Sequence, residues 1–140
     1  MNIISLFSGC GGLDLGFERA GFNIPVANEF DKTIWATFKA NHPNTHLIEG
    51  DIRQVTKEDY RYYDYLLCAD ANNIKNTIRI TGPDVDGKIK LLLDLATDPK
   101  RKGKSISDPW YSGRFDETYR DVVSGCEGLL AYLKETGRIS

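Results

Sequence analysis

Apolar runs and helical repeats alternate along the first half of the chain. Residues 3–7 form an apolar run of strand length. Residues 13–20 then place apolar side chains at helical spacing until Gly21, a residue that suits a left-handed helix end. Residues 22–27 and 46–52 have the character of two further strands. The pattern predicts a strand, a glycine-rich turn, a helix, and then two more strands.

A second helix is predicted between the second and third strands. Asp31 is of a residue type that caps helix N-termini, and Pro43 cannot continue a helix. Between them, one apolar helix face is formed by Ile34, Trp35 and Phe38. The first half of the chain therefore has the pattern of a βαβαβ unit.

The second half contains two more strand-like runs and ends in an amphipathic helix. Residues 56–62 can hold a helical turn, and residues 63–70 predict a fourth strand. Residues 72–78 can form a short helix, and residues 88–96 predict a fifth strand. In the last helix apolar residues recur at spacings of three and four and form one stripe, which we expect to pack on the sheet. The residues of the stripe are Phe115, Tyr119, Val122, Val123, Cys126, Leu129, Leu130 and Leu133.

The alternation of strands and helices determines the expected fold class. Such a chain forms right-handed βαβ crossovers and a mostly parallel sheet. We therefore predict an α/β fold, a three-layer α/β/α Rossmann-like sandwich with a five-stranded, mostly parallel sheet. Ligands of these folds bind beyond the carboxyl ends of the strands, where the strand order reverses.

Composition places the chain among ordinary globular proteins, with 140 residues of which 41% are hydrophobic and 27% charged. The sequence contains no run of about 18 apolar residues, which is the length needed to span a membrane. The first residues also lack the basic region of a secretion signal, so we expect a cytoplasmic protein without a membrane partner. The net charge of −2 argues against a specific nucleic-acid partner, because phosphate neutralisation requires a surplus of Lys and Arg.

Three groups of chemically versatile residues favour structural interpretations. The basic run KRKGK at residues 100–104 predicts a solvated loop, with phosphate binding as the alternative. His42 and His46 have no third ligand nearby, so no metal site is expected. The cysteines are far apart and form no Cys-x-x-Cys motif, which favours reduced or buried thiols: Cys10, Cys68 and Cys126.

A glycine-rich turn and two carboxylates suggest an adenosine-binding site. The turn SGCGG lets a ligand approach the backbone closely, and the N-terminus of the next helix favours an anionic group. Glu29, at the end of the second strand, can accept hydrogen bonds from the ribose hydroxyls. Asp51, at the end of the third strand, can accept one from the adenine amino group. An alternative is that these residues are only strand ends and turns.

Three segments in the first part of the chain carry a family resemblance. They are SLFSGCGGLDLGF, ANEFDKTIWATFKANHP and EGDI, and through them residues 3–55 resemble the amino-terminal part of a bacterial cytosine-C5 DNA methyltransferase. The resemblance implies an S-adenosylmethionine pocket in which Glu29 holds the ribose, Phe30 covers the adenine face and Asp51 reads the adenine edge. The complete implied set is Phe7, Gly9, Gly11, Gly12, Glu29, Phe30, Asp51 and Ile52.

The second part of the chain resembles a different family. The segments YDYLLCADANN, KIKLLLDLA, SDPWY and FDETYRDVVSGCEGLLAYL are similar to the carboxyl-terminal half of a low-molecular-weight protein tyrosine phosphatase. The resemblance implies that Asp108 is the general acid, that Trp110 and Tyr111 form walls for an aromatic substrate, and that Asp70 tunes a loop. A turn packed by aromatic side chains is an alternative explanation of SDPWY.

Neither resemblance supplies a nucleophile. The methyltransferase family uses a Pro-Cys dipeptide, and this chain contains none. The phosphatase family uses a Cys-x5-Arg loop, but the residues six positions after the three cysteines are Gly16, Ile74 and Tyr132. We therefore expect no complete catalytic site, with Asp108 as a vestigial general acid.

Together the two resemblances predict a single α/β domain built from two fragments. Residues 1–57 are the methyltransferase-like βαβαβ part and residues 58–140 the phosphatase-like βαβα part, with a crossover near residues 54–60. Joining them implies the strand order 3-2-1-4-5. We predict an engineered chimera that has neither native catalytic activity nor an obligatory partner. The one ligand that we expect it to bind is S-adenosylmethionine, and only weakly. The alternatives are a residual methyltransferase or phosphatase, and a natural gene fusion.

Overall fold

Five parallel strands form one sheet in the order β3-β2-β1-β4-β5. The computed structural model describes residues 2–6, 17–19, 21–51, 55–106 and 113–139. The strands are β1 (Asn2–Leu6), β2 (Asn23–Glu29), β3 (His46–Glu49), β4 (Tyr65–Cys68) and β5 (Ile89–Leu91). The predicted α/β class and the predicted strand order are confirmed.

Helices connect the strands as the crossovers require. Residues 17–19 are helical, and the longer helices are α1 (Trp35–Asn41), α2 (Lys57–Tyr62), α3 (Ala71–Thr81) and α4 (Phe115–Glu135). A 3-10 helix, Leu92–Leu95, follows β5. Among the described residues no helix is long and apolar enough to cross a membrane.

The pairing of β1 with β4 joins the first part of the chain to the second. Ile3 pairs with Tyr65, and Ile4 pairs with Leu66, in parallel register. Both isoleucines are fully buried. Because successive side chains of a strand point to opposite faces, these two pairs lie on opposite sides of the sheet.

Each face of the sheet carries an apolar core to which both parts of the chain contribute. One core joins residues from the first part with residues from β4, the 3-10 helix and α4: Ile3, Phe17, Phe22, Ile24, Tyr65, Leu67, Leu92, Val122, Cys126, Leu129 and Leu133. The other lies beneath α2 and α3: Ile4, Leu6, Val55, Tyr60, Tyr63, Leu66, Cys68 and Ile89. Unfolding one part would therefore expose apolar surface of the other.

The crossover into β4 is fixed at both ends of α2. Thr56 caps the helix in a capping box, because its hydroxyl accepts from the N–H of Asp59 and the Asp59 carboxylate accepts from the N–H of Thr56. Near the other end, the buried Tyr60 hydroxyl donates to the Asp84 carboxylate over 2.8 Å. The Lys88 ammonium donates to the carbonyl oxygen of Tyr60. The helical turn predicted at residues 56–62 is thus anchored to the turn before β5.

Several predicted elements differ from the structure. The third strand, predicted for residues 46–52, is His46–Glu49, and the fourth, predicted for residues 63–70, is Tyr65–Cys68. The fifth strand, predicted for residues 88–96, ends at Leu91 because the chain turns into the 3-10 helix there. Asp31 does not cap α1, which begins at Trp35. The Asp31 carboxylate instead accepts hydrogen bonds from the hydroxyl and the N–H of Thr33, and these bonds lower the pKa of Asp31.

The amino-terminal end of the predicted apolar stripe on α4 is exposed. Phe115 and Tyr119 are 58% and 56% exposed, whereas Val122, Leu129 and Leu133 are buried against the sheet. Helix periodicity identifies a common face, but it does not show how far along that face the sheet extends. The stripe is therefore a core contact only from Val122 onward.

Close packing between α4 and the 3-10 helix depends on glycine. A methyl group at Gly128 would overlap the backbone carbonyl oxygen of Leu95, and one at Gly125 would overlap the Leu92 side chain. The backbone carbonyl cannot move aside as a flexible side chain could. Gly128 is therefore required for α4 to lie at its observed distance from the 3-10 helix.

We predict that Gly128→Ala lowers the free energy of unfolding by about 2 kcal/mol or more, despite the better helix propensity of alanine. The measurement is urea unfolding followed by circular dichroism. Glu127→Ala, at the exposed neighbouring position, is the matched control and should change stability by less than about 0.5 kcal/mol. Equal stability of the Gly128→Ala protein and the wild type would show that α4 does not pack this closely.

Candidate functional site

The carboxyl ends of β2 and β3 bring three of the predicted site residues together. The register pairs Glu29 with Glu49, so Phe30 and Asp51 follow the ends of neighbouring strands. The N–H of Gly50 donates to the carbonyl oxygen of Glu29 over 3.0 Å and holds the two strand ends side by side. This edge of the sheet is where ligands of α/β folds bind.

Glu29 is held in a defined position. It is 8% exposed, and its Oε1 accepts a hydrogen bond from the N–H of Asp31 over 2.9 Å. Its carbonyl oxygen accepts from Nε1 of Trp35, also over 2.9 Å. A carboxylate has about four acceptor positions on its two oxygens, and the N–H of Asp31 uses one of them.

Asn28 is a structural residue of this edge that the sequence interpretation missed. Its side chain is fully buried, and Nδ2 donates to the carbonyl oxygens of Ile48 and Gly50, each over 3.1 Å. The amide therefore fastens the end of β3 to β2. The available signal was a polar residue directly after the apolar residues 24–27 of β2.

Three of the predicted pocket residues are described, and their side chains are of the types that an adenosine group requires. Phe30 is 66% exposed, so its ring can cover a base, and Asp51 is half-buried at the end of the neighbouring strand. Glu29 and Asp51 supply the acceptors that ribose hydroxyls and an exocyclic amino group require. The remaining predicted pocket residues lie outside the described residues: Phe7, Gly9, Gly11, Gly12 and Ile52.

In the second part of the chain, Asp70 has a structural role. Its carboxylate accepts from the N–H of Asn73 over 2.8 Å and caps α3. The Asn73 side chain accepts in return from the N–H groups of Ala69 and Asp70. The predicted general acid Asp108 lies outside the described residues, as do Trp110 and Tyr111.

The two described cysteines are poor nucleophiles. Cys68 and Cys126 are free thiols in the two apolar cores, 0% and 2% exposed. Burial raises the pKa of the Cys68 thiol to about 12, although a contact with the Thr77 hydroxyl acts in the opposite direction. At neutral pH the Cys68 thiol therefore stays protonated, whereas the thiolate is the reactive form. Cys10 lies outside the described residues.

The two histidines that could suggest a metal pair have different surroundings. His42 is buried, and its Nδ1 lies 3.0 Å from Oε1 of Glu18, a contact between the first helical segment and the end of α1. His46 is exposed at the start of β3. Within the described part of the chain, no group of three side chains is arranged to hold a metal ion.

The basic run is only partly the solvated loop that was predicted. Lys100 and Lys104 are exposed, but the Arg101 side chain is 19% exposed and lies among three carboxylates. Its guanidinium lies 2.5 Å from Asp121, 3.2 Å from Glu117 and 3.1 Å from Asp98. The hydrogen bond to Asp121 contributes most to raising the pKa of Arg101. These four residues tie the loop to α4. Nothing in the sequence indicated this cluster, because Glu117 and Asp121 lie 16 and 20 residues after Arg101.

Known proteins match the two parts of the chain separately. The family model for C-5 cytosine-specific DNA methylases matches residues 1–69, which extends past the predicted boundary at residue 57. The type II methyltransferase M.NgoPII of Neisseria gonorrhoeae is 82% identical over 60 residues, which are 43% of this chain and 18% of that enzyme. M.FnuDI of Fusobacterium nucleatum is 63% identical over 59 residues.

The rest of the chain is similar to a phosphatase. The low-molecular-weight protein-tyrosine-phosphatase YfkJ of Bacillus subtilis is 35% identical over 83 residues, which are 59% of this chain and 52% of that protein. The YfkJ crystal structure superposes with a TM-score of 0.63 at 19% identity, covering 97% of this chain and 96% of YfkJ. A protein tyrosine phosphatase from Entamoeba histolytica gives a TM-score of 0.67. The chain therefore joins a methyltransferase-like part to a phosphatase-like part, on a fold shared with these phosphatases.

We predict that the buried thiols react only when the protein unfolds. In a Cys10→Ser variant, Ellman's reagent at pH 8 should modify less than about 0.1 thiol per chain in an hour, because neither Cys68 nor Cys126 offers an accessible thiolate. The same variant in 6 M guanidinium chloride is the control and should release two equivalents. Rapid modification of one thiol in the native protein would contradict the structure.

Proposed function

We propose that this chain is an engineered chimera that folds as a single α/β domain, without the catalytic activity of either parent family. Its two fragments are residues 1–57 and 58–140. The observation that carries the proposal is that the sheet is complete while both nucleophile motifs are missing from the sequence. A natural fusion that remained under selection for either reaction would be expected to keep the nucleophile of that reaction.

The chemistry of the described thiols supports the absence of catalysis. A methyltransferase of this kind needs a thiolate that adds to cytosine, and a phosphatase needs one that attacks phosphorus. Cys68, the last residue of β4, is buried with its pKa raised to about 12. A general acid such as Asp108 accelerates a step only when a nucleophile performs that step.

Ligand binding, unlike catalysis, does not require a nucleophile, and we propose that weak S-adenosylmethionine binding is retained. Glu29 and Asp51 present carboxylates at neighbouring strand ends, and Phe30 presents an exposed ring beside them. In this proposal Glu29 binds the ribose and Asp51 the adenine amino group. The bound cofactor would supply an activated methyl group, but no described thiol is able to activate a base to accept it. No DNA or membrane partner is proposed.

We predict that S-adenosylmethionine binds in the high-micromolar to millimolar range and that Glu29→Gln weakens binding about tenfold. The loss of a hydrogen bond to a charged acceptor accounts for a change of this size. Isothermal titration calorimetry measures both affinities. Glu58→Gln, an exposed carboxylate on α2, is the matched control and should leave the affinity unchanged. No heat at millimolar cofactor with wild-type protein would disprove the retained pocket.

We further predict no hydrolysis of p-nitrophenyl phosphate above the buffer rate, because the chain lacks a Cys-x5-Arg loop. The assay follows p-nitrophenolate absorbance at pH 5 to 7 with a low-molecular-weight phosphatase as the positive control. Turnover that is lost in an Asp108→Asn variant would show instead that the chain is a residual phosphatase.

A further inference from the structure

The residue before Asp51 is bonded to β2 through both of its backbone polar groups. β3 ends at Glu49, and the chain turns at Gly50, where φ is +125°, a backbone conformation that favours glycine. The N–H of Gly50 donates to the carbonyl oxygen of Glu29, and the carbonyl oxygen of Gly50 accepts from Nδ2 of Asn28. This carbonyl group belongs to the peptide that joins Gly50 to Asp51, so β2 determines where Asp51 begins.

The Asn28 amide can meet β3 in only one orientation. Its Nδ2 lies 3.1 Å from the carbonyl oxygen of Ile48 and 3.1 Å from that of Gly50. A carbonyl oxygen only accepts hydrogen bonds, so the NH2 end of the amide, which carries two donors, must face both carbonyl groups. One side chain thus binds the backbone on both sides of Glu49.

An amide at this position needs a reason beyond packing. The Asn28 side chain is fully buried, as is its neighbour Ala27. Burying an amide costs free energy that its hydrogen bonds only offset, and an apolar side chain of the same volume would not incur this cost. Buried polar groups that are hydrogen bonded make the local structure rigid. Asn28 therefore provides a fixed position for the peptide before Asp51, which an apolar residue would not provide.

The Glu29 carboxylate is held by different bonds. Its Oε1 accepts from the N–H of Asp31, and the carbonyl oxygen of Glu29 accepts from Nε1 of Trp35. Neither bond involves the Asn28 amide. Loss of that amide would therefore act on the Asp51 side of the proposed pocket and leave the Glu29 carboxylate bonded as before.

We propose that Asn28 is a positioning residue that holds Asp51 against the exocyclic amino group of adenine, and that it thereby sets the preference of the pocket for adenine. This inference rests on the proposed function of Glu29 and Asp51. A carboxylate accepts a hydrogen bond from an amino group but repels a carbonyl oxygen, and a hydrogen bond weakens steeply when its geometry is disturbed. The ribose, which Glu29 would bind, is the same whichever base is attached.

The experiment compares adenosine with inosine, in which a carbonyl oxygen replaces the amino group, in titrations followed by NMR. We expect the wild type to bind adenosine about tenfold more tightly than inosine. Asn28→Leu removes both donors at similar volume. It should lower the affinity for adenosine about five- to tenfold and change the affinity for inosine less than about twofold. Asn28→Ala should give the same pattern and serves as the second variant if leucine disturbs the strand.

Thr45→Val is the matched control. The buried Thr45 hydroxyl donates to the carbonyl oxygen of Ile24 over 2.8 Å, so it also fastens the β3 segment to β2, but just before β3 begins. This variant should lose stability, as Asn28→Leu does, and keep the tenfold preference for adenosine. If both variants lost the preference equally, loosening of the sheet would explain the loss, and the specific role of Asn28 would be rejected.

Hydrogen exchange of the Gly50 N–H tests the same role without a ligand. Measured against the N–H of Leu66, which is bonded within the sheet, it should exchange at least about tenfold faster in Asn28→Leu and at the wild-type rate in Thr45→Val. Unchanged exchange at Gly50, or an unchanged preference for adenosine, overturns the positioning role even if S-adenosylmethionine binds. If the wild type binds neither adenosine nor S-adenosylmethionine, the pocket and the base preference are rejected, and exchange at Gly50 alone decides whether Asn28 holds this peptide.

Discussion

The parallel pairing of β1 with β4 is the interaction on which the rest of the structure depends. It joins the first strand of the chain to a strand about 60 residues further along, in the stretch where the similarity changes from the methyltransferases to the phosphatases. Because side chains alternate along a strand, Ile3 enters one core and Ile4 the other. A slip of one residue in this ladder would exchange the two faces and disrupt both cores. A single register therefore determines how the two parts fit.

Periodicity in the sequence was enough to predict the elements but not their order. The apolar runs identified all five strands, and the spacing in α4 identified its face. The strand order followed from the two family resemblances, because hydrophobic patterns do not specify which strands become neighbours. The local turn at Asp31 depends on hydrogen bonds to Thr33 that compete with capping of the helix, and composition does not reveal such competition.

The candidate site was predictable where it consists of strand ends. Glu29, Phe30 and Asp51 meet at one edge because parallel strands end together. The burial of Glu29, the amide of Asn28 across the strand ends and the position of Arg101 among carboxylates could not be predicted. Each depends on a contact between segments that the sequence keeps apart, and such contacts become visible only after the chain is folded.

The pairing of β1 with β4 also has a consequence during protein synthesis. Residues 3–5 pair with residues 65–67, so the central strand of the sheet lacks one neighbour until about half of the chain has left the ribosome. Throughout that interval both apolar faces of β1 are only partly covered, and one edge of the strand can pair with another chain. A parallel sheet closed by such distant partners forms slowly. The nascent chain is therefore most exposed to aggregation before α2 has emerged and carried β4 across to β1.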